Sequence, residues 1–161
     1  MGKFYFLLLS VLPFLSCKQE TIPSKAGFTS LNEFDQSRLF DTTSKTSHRY
    51  FRPVKIDVFY PGTGTGSNLS YGNILDQYEK RMDYEVTEDS CRKTSLMIVN
   101  LFGEYLKMDS PINILHYPLS VQKDLEFAKQ RFPLIVYVAG MNGSTWENVL
   151  LFEHLVKKGM W

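Results

Sequence analysis

The sequence predicts an α/β protein, and three observations predict it. Arg52 to Tyr60 alternates apolar and polar residues with period two, placing Val54, Ile56 and Val58 on one side of a strand. Asp89 to Leu106 carries apolar residues at irregular helical spacing and is free of proline. Phe132 to Gly140 holds five apolar residues in a row after Pro133, and a glycine turn and a helix with marked ends follow. An uninterrupted apolar run suits a strand covered on both faces, as in a parallel sheet. Two kinds of strand are therefore expected.

The chain begins with a targeting segment. Lys3 supplies a positive charge, Phe4 to Leu12 an apolar stretch, and Leu15-Ser16-Cys17 the end of a secretion signal. The segment is too short to span a bilayer as a helix. With Ser16 before Cys17, its end resembles a bacterial lipobox, in which a peptidase cuts before a lipid-modified cysteine; Phe14 departs from the usual Leu. Lipid at Cys17 would tether the chain to a membrane without crossing it. This implies export and attachment at an outer-membrane or periplasmic face. An ordinary signal peptide with an incidental cysteine, or a cytosolic chain with an apolar start, remain open readings.

Residues 18–35 are expected to form a flexible tether, because Lys18-Gln19-Glu20 is polar and Thr21 to Asn32 shows neither helical nor strand period. Strands are expected at Ser37 to Phe40 and Arg52 to Tyr60, with Pro61 and the run Gly62 to Asn68 turning the chain. That glycine-rich run lacks both Gly-x-Gly-x-x-Gly and Gly-Lys-Ser/Thr, and no apolar helix opens directly after it. It is read as a solvated loop, and no nucleotide or other cofactor is expected.

A short amphipathic helix is expected from Tyr71 to Met82, on Ile74, Leu75, Tyr78 and Met82. The helix from Asp89 to Leu106, on Leu96, Val99, Asn100, Gly103 and Leu106, cannot continue past Pro111. Ile112 to Arg131 is poorly specified. After the apolar strand, Ser144 is placed to cap the last helix, with Glu147 completing a capping box. Leu151, Phe152, Leu155 and Val156 give it an apolar stripe, Lys157 and Lys158 suit its negative end, and Gly159 is placed for a left-handed cap.

Charge and composition exclude some functions. With 18 Lys+Arg against 17 Asp+Glu, the net charge of +1 gives no field to draw the chain to nucleic acid. The 12 Phe and 9 Tyr are not interleaved with basic residues, so they are assigned to a core. If Cys17 carries lipid, Cys91 has no internal partner, and its polar surroundings without a nearby His argue against a nucleophile. His48 and His116 lack acidic or cysteine partners at metal spacing, and no metal is expected. His154 reads as an ordinary helix residue.

The stretch Phe132-Pro-Leu-Ile-Val-Tyr-Val-Ala-Gly-Met-Asn-Gly-Ser144, with the helix ending Leu155-Val-Lys-Lys-Gly159, resembles the strand, oxyanion turn and first helix of secreted α/β-hydrolases related to platelet-activating factor acetylhydrolase and dienelactone hydrolase. Arg52 to Pro61 resembles an early strand of that family, often finished by an aromatic residue, Tyr and Pro. About a third of the chain is covered. The resemblance implies a truncated α/β-hydrolase fold over 36–161: antiparallel amino-terminal strands, then a strand-turn-helix entering a parallel sheet.

It also implies attack by Ser on a small-molecule ester, a His base and an Asp that orients it. The backbone N–H of Met141 would supply half of an oxyanion hole, Gly140 would allow close approach, and the Met141 side chain would line the pocket. Ala139 stands where the family often has His. No Gly-x-Ser-x-Gly occurs between Met1 and Trp161, and the capping role of Ser144 accounts for its place after Gly143. The chain is therefore expected to be the amino-terminal portion of such an enzyme, inactive alone. A lipid-anchored binding or structural protein is the alternative, and a frameshifted gene product a third. Oligomeric state is not legible in the sequence.

Overall fold

A computed structural model describes residues 25–40, 51–139 and 145–160. Strand β1, Lys25–Leu39, pairs antiparallel with β2, Phe51–Thr63, in a register that sets Phe28 opposite Phe59 and Ser30 opposite Asp57. The ladder shifts between Asp35 and Leu39. Strands β3, Ser67–Ser70, β4, Pro118–Lys123, and β5, Glu126–Phe127, complete a sheet ordered β3-β4-β1-β2-β5. The sheet is mixed: β4 runs parallel to β1, and the other pairings are antiparallel. With helices packed on it, the described chain is of the α/β class.

Two expectations about the strands need correction. The flexible tether expected over 18–35 is contradicted from Lys25 onward, where Lys25–Leu39 is a single strand, and residues 18–24 lie outside the described residues. Ala26 and Phe28 enter the core, and Gly27 between them is buried beneath Tyr60; backbone pairing with β2 holds the polar remainder, which side-chain period does not reveal. The alternating residues Val54, Ile56 and Val58 do lie on one face, but it is the less buried face, and Ile56 is 47% exposed. The opposite face carries Lys55, Asp57 and Phe59, and Phe59 packs in the main core.

That core joins Ala26, Phe28, Phe59, Leu119 and Val121 from the sheet to Ile74, Val149 and Val156. Ile74 belongs to α1, Tyr71–Leu75, which Ser70 caps in a reciprocal pairing with Asn73. The helix expected to reach Met82 stops at Leu75, and a 3₁₀ turn, Glu79–Arg81, follows. Asp76 sits at the stop, accepting from Ser95 Oγ at 2.6 Å and pairing with Arg92 at 2.9 Å.

Both residues belong to α2, Glu88–Leu106, which matches the helix expected from Asp89 to Leu106 and is capped by Thr87. Its buried line is Cys91, Ser95, Val99 and Gly103, while Leu101 and Leu106 face outward. Lys107 ends it in a left-handed conformation, and the chain turns so that Pro111 packs on Gly103. Residues Pro111–His116 form a 3₁₀ segment whose Leu115 is buried with Leu75 and Val99.

The largest departure is Phe132 to Ala139. This run, expected as a doubly covered strand, joins none of the five strands, and no backbone hydrogen bond reaches it from the other described residues. Leu134, Val136 and Val138 are 71%, 77% and 83% exposed. A strand requires a hydrogen-bonding neighbour, and the described sheet does not extend to this run. Residues 140–144 lie outside the described chain, and with them the expected cap Ser144.

A 3₁₀ turn, Thr145–Asn148, leads into α3, Val149–Lys157. Its buried stripe runs through Val149 and Val156 with Phe152 packed alongside, whereas Leu151 is exposed. Gly159 takes a positive φ of 76°, its N–H bonds Val156 and that of Met160 bonds Leu155, so the expected glycine cap is a Schellman motif. Glu153 ties α3 to the sheet by accepting from the Ser120 amide at 3.1 Å and from Lys157 at 2.8 Å.

A Cβ at Gly103 would stand 2.3 and 2.5 Å from two ring carbons of Pro111. Alanine within an exposed helix normally gains about 1 kcal/mol over glycine, but a clash with a rigid ring reverses the sign. Gly103→Ala is expected to destabilise by about 1–3 kcal/mol in urea unfolding. Adding Pro111→Ala should recover most of that loss; stabilisation by Gly103→Ala alone would disprove the contact.

Candidate functional site

A groove of about 630 Å³ opens beside β2. One wall is Val54 to Phe59 of β2, the facing wall is Leu134 to Ala139, and Ile74, Phe152 and Val156 form an apolar floor. Thr145, Trp146, Tyr78, Arg81 and Met160 also line it. Arg81 stacks over the Tyr78 ring at 3.9 Å and donates to its hydroxyl at 2.6 Å. The Phe152 ring lies 5.3 Å from Phe59 and 5.2 Å from Tyr137, so one side chain of α3 touches both walls.

Polar groups converge at one place in this apolar lining. Lys55 and Asp57, two residues apart on one face of β2, form an ion pair with side chains only 6% and 11% exposed. Ser30, the cross-strand partner of Asp57, donates to Asp57 Oδ1 at 2.5 Å. Thr145 Oγ1 donates to Asp57 Oδ2 at 2.8 Å, and Lys55 Nζ reaches Ser30 Oγ at 3.2 Å. The carboxylate thus holds a hydroxyl from β1, a hydroxyl from the start of the last helical turn and its own strand's ammonium. Opposite charges cancel, and the cluster fixes Thr145, the first described residue after 140–144, against the sheet.

Chemically, this cluster favours positioning over reaction. Ser30 has its proton committed to a carboxylate, and no His stands beside it among the described residues. Tyr71, half-buried beside the 3₁₀ turn, donates to the Trp146 carbonyl at 3.1 Å. Burial, with a smaller contribution from Glu147, pushes its hydroxyl up to about 12, so it stays a proton donor at neutral pH.

The residues singled out in the sequence are not gathered at this groove by the described structure. Gly140 and Met141 lie outside the described residues, although Ala139 and Thr145, which bracket that stretch, both line the groove. Cys17, His48 and Ser144 also lie outside them. His116 and His154 are exposed on separate elements. Cys91, expected to be exposed or half-buried, is 2% exposed within α2, and burial pushes its thiol up, which keeps it protonated and unreactive.

Sequence reasoning missed Ser30, Lys55, Asp57 and Thr145. The available signal was Lys55-x-Asp57, opposite charges on one face of a strand whose other face was apolar. No family model, no curated protein and no solved structure matches this chain.

Removing one member of a buried ion pair strands the other charge. Lys55→Met is expected to lower stability by about 3 kcal/mol, well beyond Thr145→Val, which removes one hydrogen bond worth about 1 kcal/mol. Denaturant unfolding of both variants is the check, and equal effects would show the ion pair to be unimportant.

Proposed function

We propose that the chain contributes the amino-terminal part of an exported serine hydrolase acting on carboxylic esters or related acyl bonds. The observation that carries this reading is the sequence order of the apolar run Leu134 to Val138, which stands outside the described sheet, then 140–144 and a helix closed by a glycine Schellman motif. The antiparallel pair β1-β2, with Phe59-Tyr60-Pro61 near the end of β2, supports it from the other side.

In this reading the backbone N–H of Met141 donates to the oxyanion as the ester carbonyl becomes tetrahedral, and Gly140 leaves room for the close approach. The apolar groove adjoining Ala139 and Thr145 suits the acyl portion of a substrate. Nucleophile, base and orienting acid come from residues outside this chain, since it contains no Gly-x-Ser-x-Gly. Without the nucleophile only residual acceleration survives.

The purified chain is therefore expected to release no p-nitrophenol from a short acyl ester above background. Turnover that a serine-directed fluorophosphonate abolishes would refute this. The assignment itself is tested by reading the coding sequence downstream of Trp161. A Gly-x-Ser-x-Gly within about a hundred residues, followed by Asp and His, supports it, and its absence from every frame overturns it.

Lipid on Cys17 anchors the protein to a membrane in the same reading. Cys17→Ser is expected to move the chain from the membrane fraction to the soluble one; unchanged partition would remove lipidation from the account.

A second reading, a lipid-anchored binding or structural protein without catalysis, is favoured by the groove itself, which is apolar and of ligand-binding size. Cooperative thermal unfolding of the form lacking Cys17 supports this alternative, because such a protein must fold on its own.

A further inference from the structure

Helix α2 buries one line of residues and leaves a second apolar line outside. Cys91, Ser95, Val99 and Gly103 recur at every fourth position on the side that meets the body of the protein. Met97, Leu101 and Tyr105 recur at the same interval but offset by two positions, which turns them to the opposite side of the helix. They are 63%, 64% and 83% exposed. Phe102 and Leu106, at 45% and 60%, extend this face to one flank. A surface helix ordinarily turns charged and polar residues that way.

Together these five side chains present on the order of 600 Å² of largely apolar surface, the upper end of what a monomer leaves bare and close to the roughly 800 Å² that each partner gives a standard interface. Charge then selects the occupant. Lys93 opens the four-residue row that continues through Met97, Leu101 and Tyr105, and Glu104 follows it by three helical turns, at nearly the same azimuth. Both residues are exposed, and neither forms an ion pair with another described residue. About 16 Å of axial rise separates them, too far to pair within one helix. A wholly basic edge would suit an anionic membrane surface. This edge carries one charge of each sign.

A second identical helix laid antiparallel brings each Lys93 opposite the other copy's Glu104, and the same superposition crosses Met97 with Leu101. A two-fold contact demands this reciprocity, because residue i must meet j while j meets i. We infer that this face binds a second copy of the chain, with α2 antiparallel to its equivalent, Met97 against the partner's Leu101 and Lys93 paired with the partner's Glu104. The pairing goes beyond the ester reading, and no ester enters its test.

Sedimentation equilibrium of the full chain reads the association directly. Wild type is expected to dimerise in the micromolar range. Leu101→Asp, which sets two carboxylates at the centre of the contact, is expected to weaken the dimer by about tenfold or more. Lys93→Glu and Glu104→Lys each bring like charges together at both ends of the helix pair, and each is expected to cost about tenfold or more. An equimolar mixture of those two variants is expected to recover association to within about threefold of wild type, since every mixed dimer again sets opposite charges against one another. Misfolding cannot imitate that recovery, and stickiness elsewhere on the chain is blind to these charges.

A dimer indifferent to both reversals, or a mixture no tighter than its parts, overturns the pairing. Association that survives Leu101→Asp but is lost in Val136→Asp overturns it too, and places the contact at the exposed run Leu134 to Val138. A wild-type chain that stays monomeric up to about 100 μM also overturns it; if that monomer floats with phosphatidylcholine vesicles and Leu101→Asp does not, the face belongs to lipid instead.

Discussion

The long antiparallel pairing of β1 with β2 is the interaction on which the rest of the described structure depends. It holds β1 in a strand despite the polar composition of its second half, and it brings Ser30 opposite Asp57 and Phe28 opposite Phe59. The aromatic pair then receives α3 through Phe152, while the carboxylate receives Thr145. One register thus fixes both the apolar floor and the polar anchor of the groove. A slip by one residue would exchange these faces and lose both.

Local signals proved legible where one element could satisfy itself. Helix α2 is held by its Thr87 cap and its own backbone, and it was readable within a residue at its start. The glycine cap of α3 was legible because only glycine adopts its φ without penalty. Elements that depend on distant partners were not. Strand β1 has no side-chain period over most of its length, and β4 is recruited by β1 and β3 from a stretch that had no clear pattern. Phe132 to Ala139 shows the converse: its composition asks for a sheet, but hydrogen bonding decides whether a strand forms.

The candidate site was hidden for a related reason. Alternation of Val54, Ile56 and Val58 pointed to a buried face, and a lysine and an aspartate between them read as the solvated one. Burial follows the helix that packs on the strand, and α3 packs on the side of Phe59. Lys55 and Asp57 therefore had to pair with each other and with Ser30, since an isolated charge there would be far too costly. A sequence shows which residues could pair; only the packing shows that they must.

Leaving Leu134 to Val138 bare has a consequence for the life of the polypeptide in a cell. An uncharged, β-branched run open to water is the kind of surface that holdase chaperones grip and that nucleates insoluble assemblies. The protein's abundance would then be governed by how soon after synthesis that run is covered, with degradation or deposition competing for whatever remains uncovered.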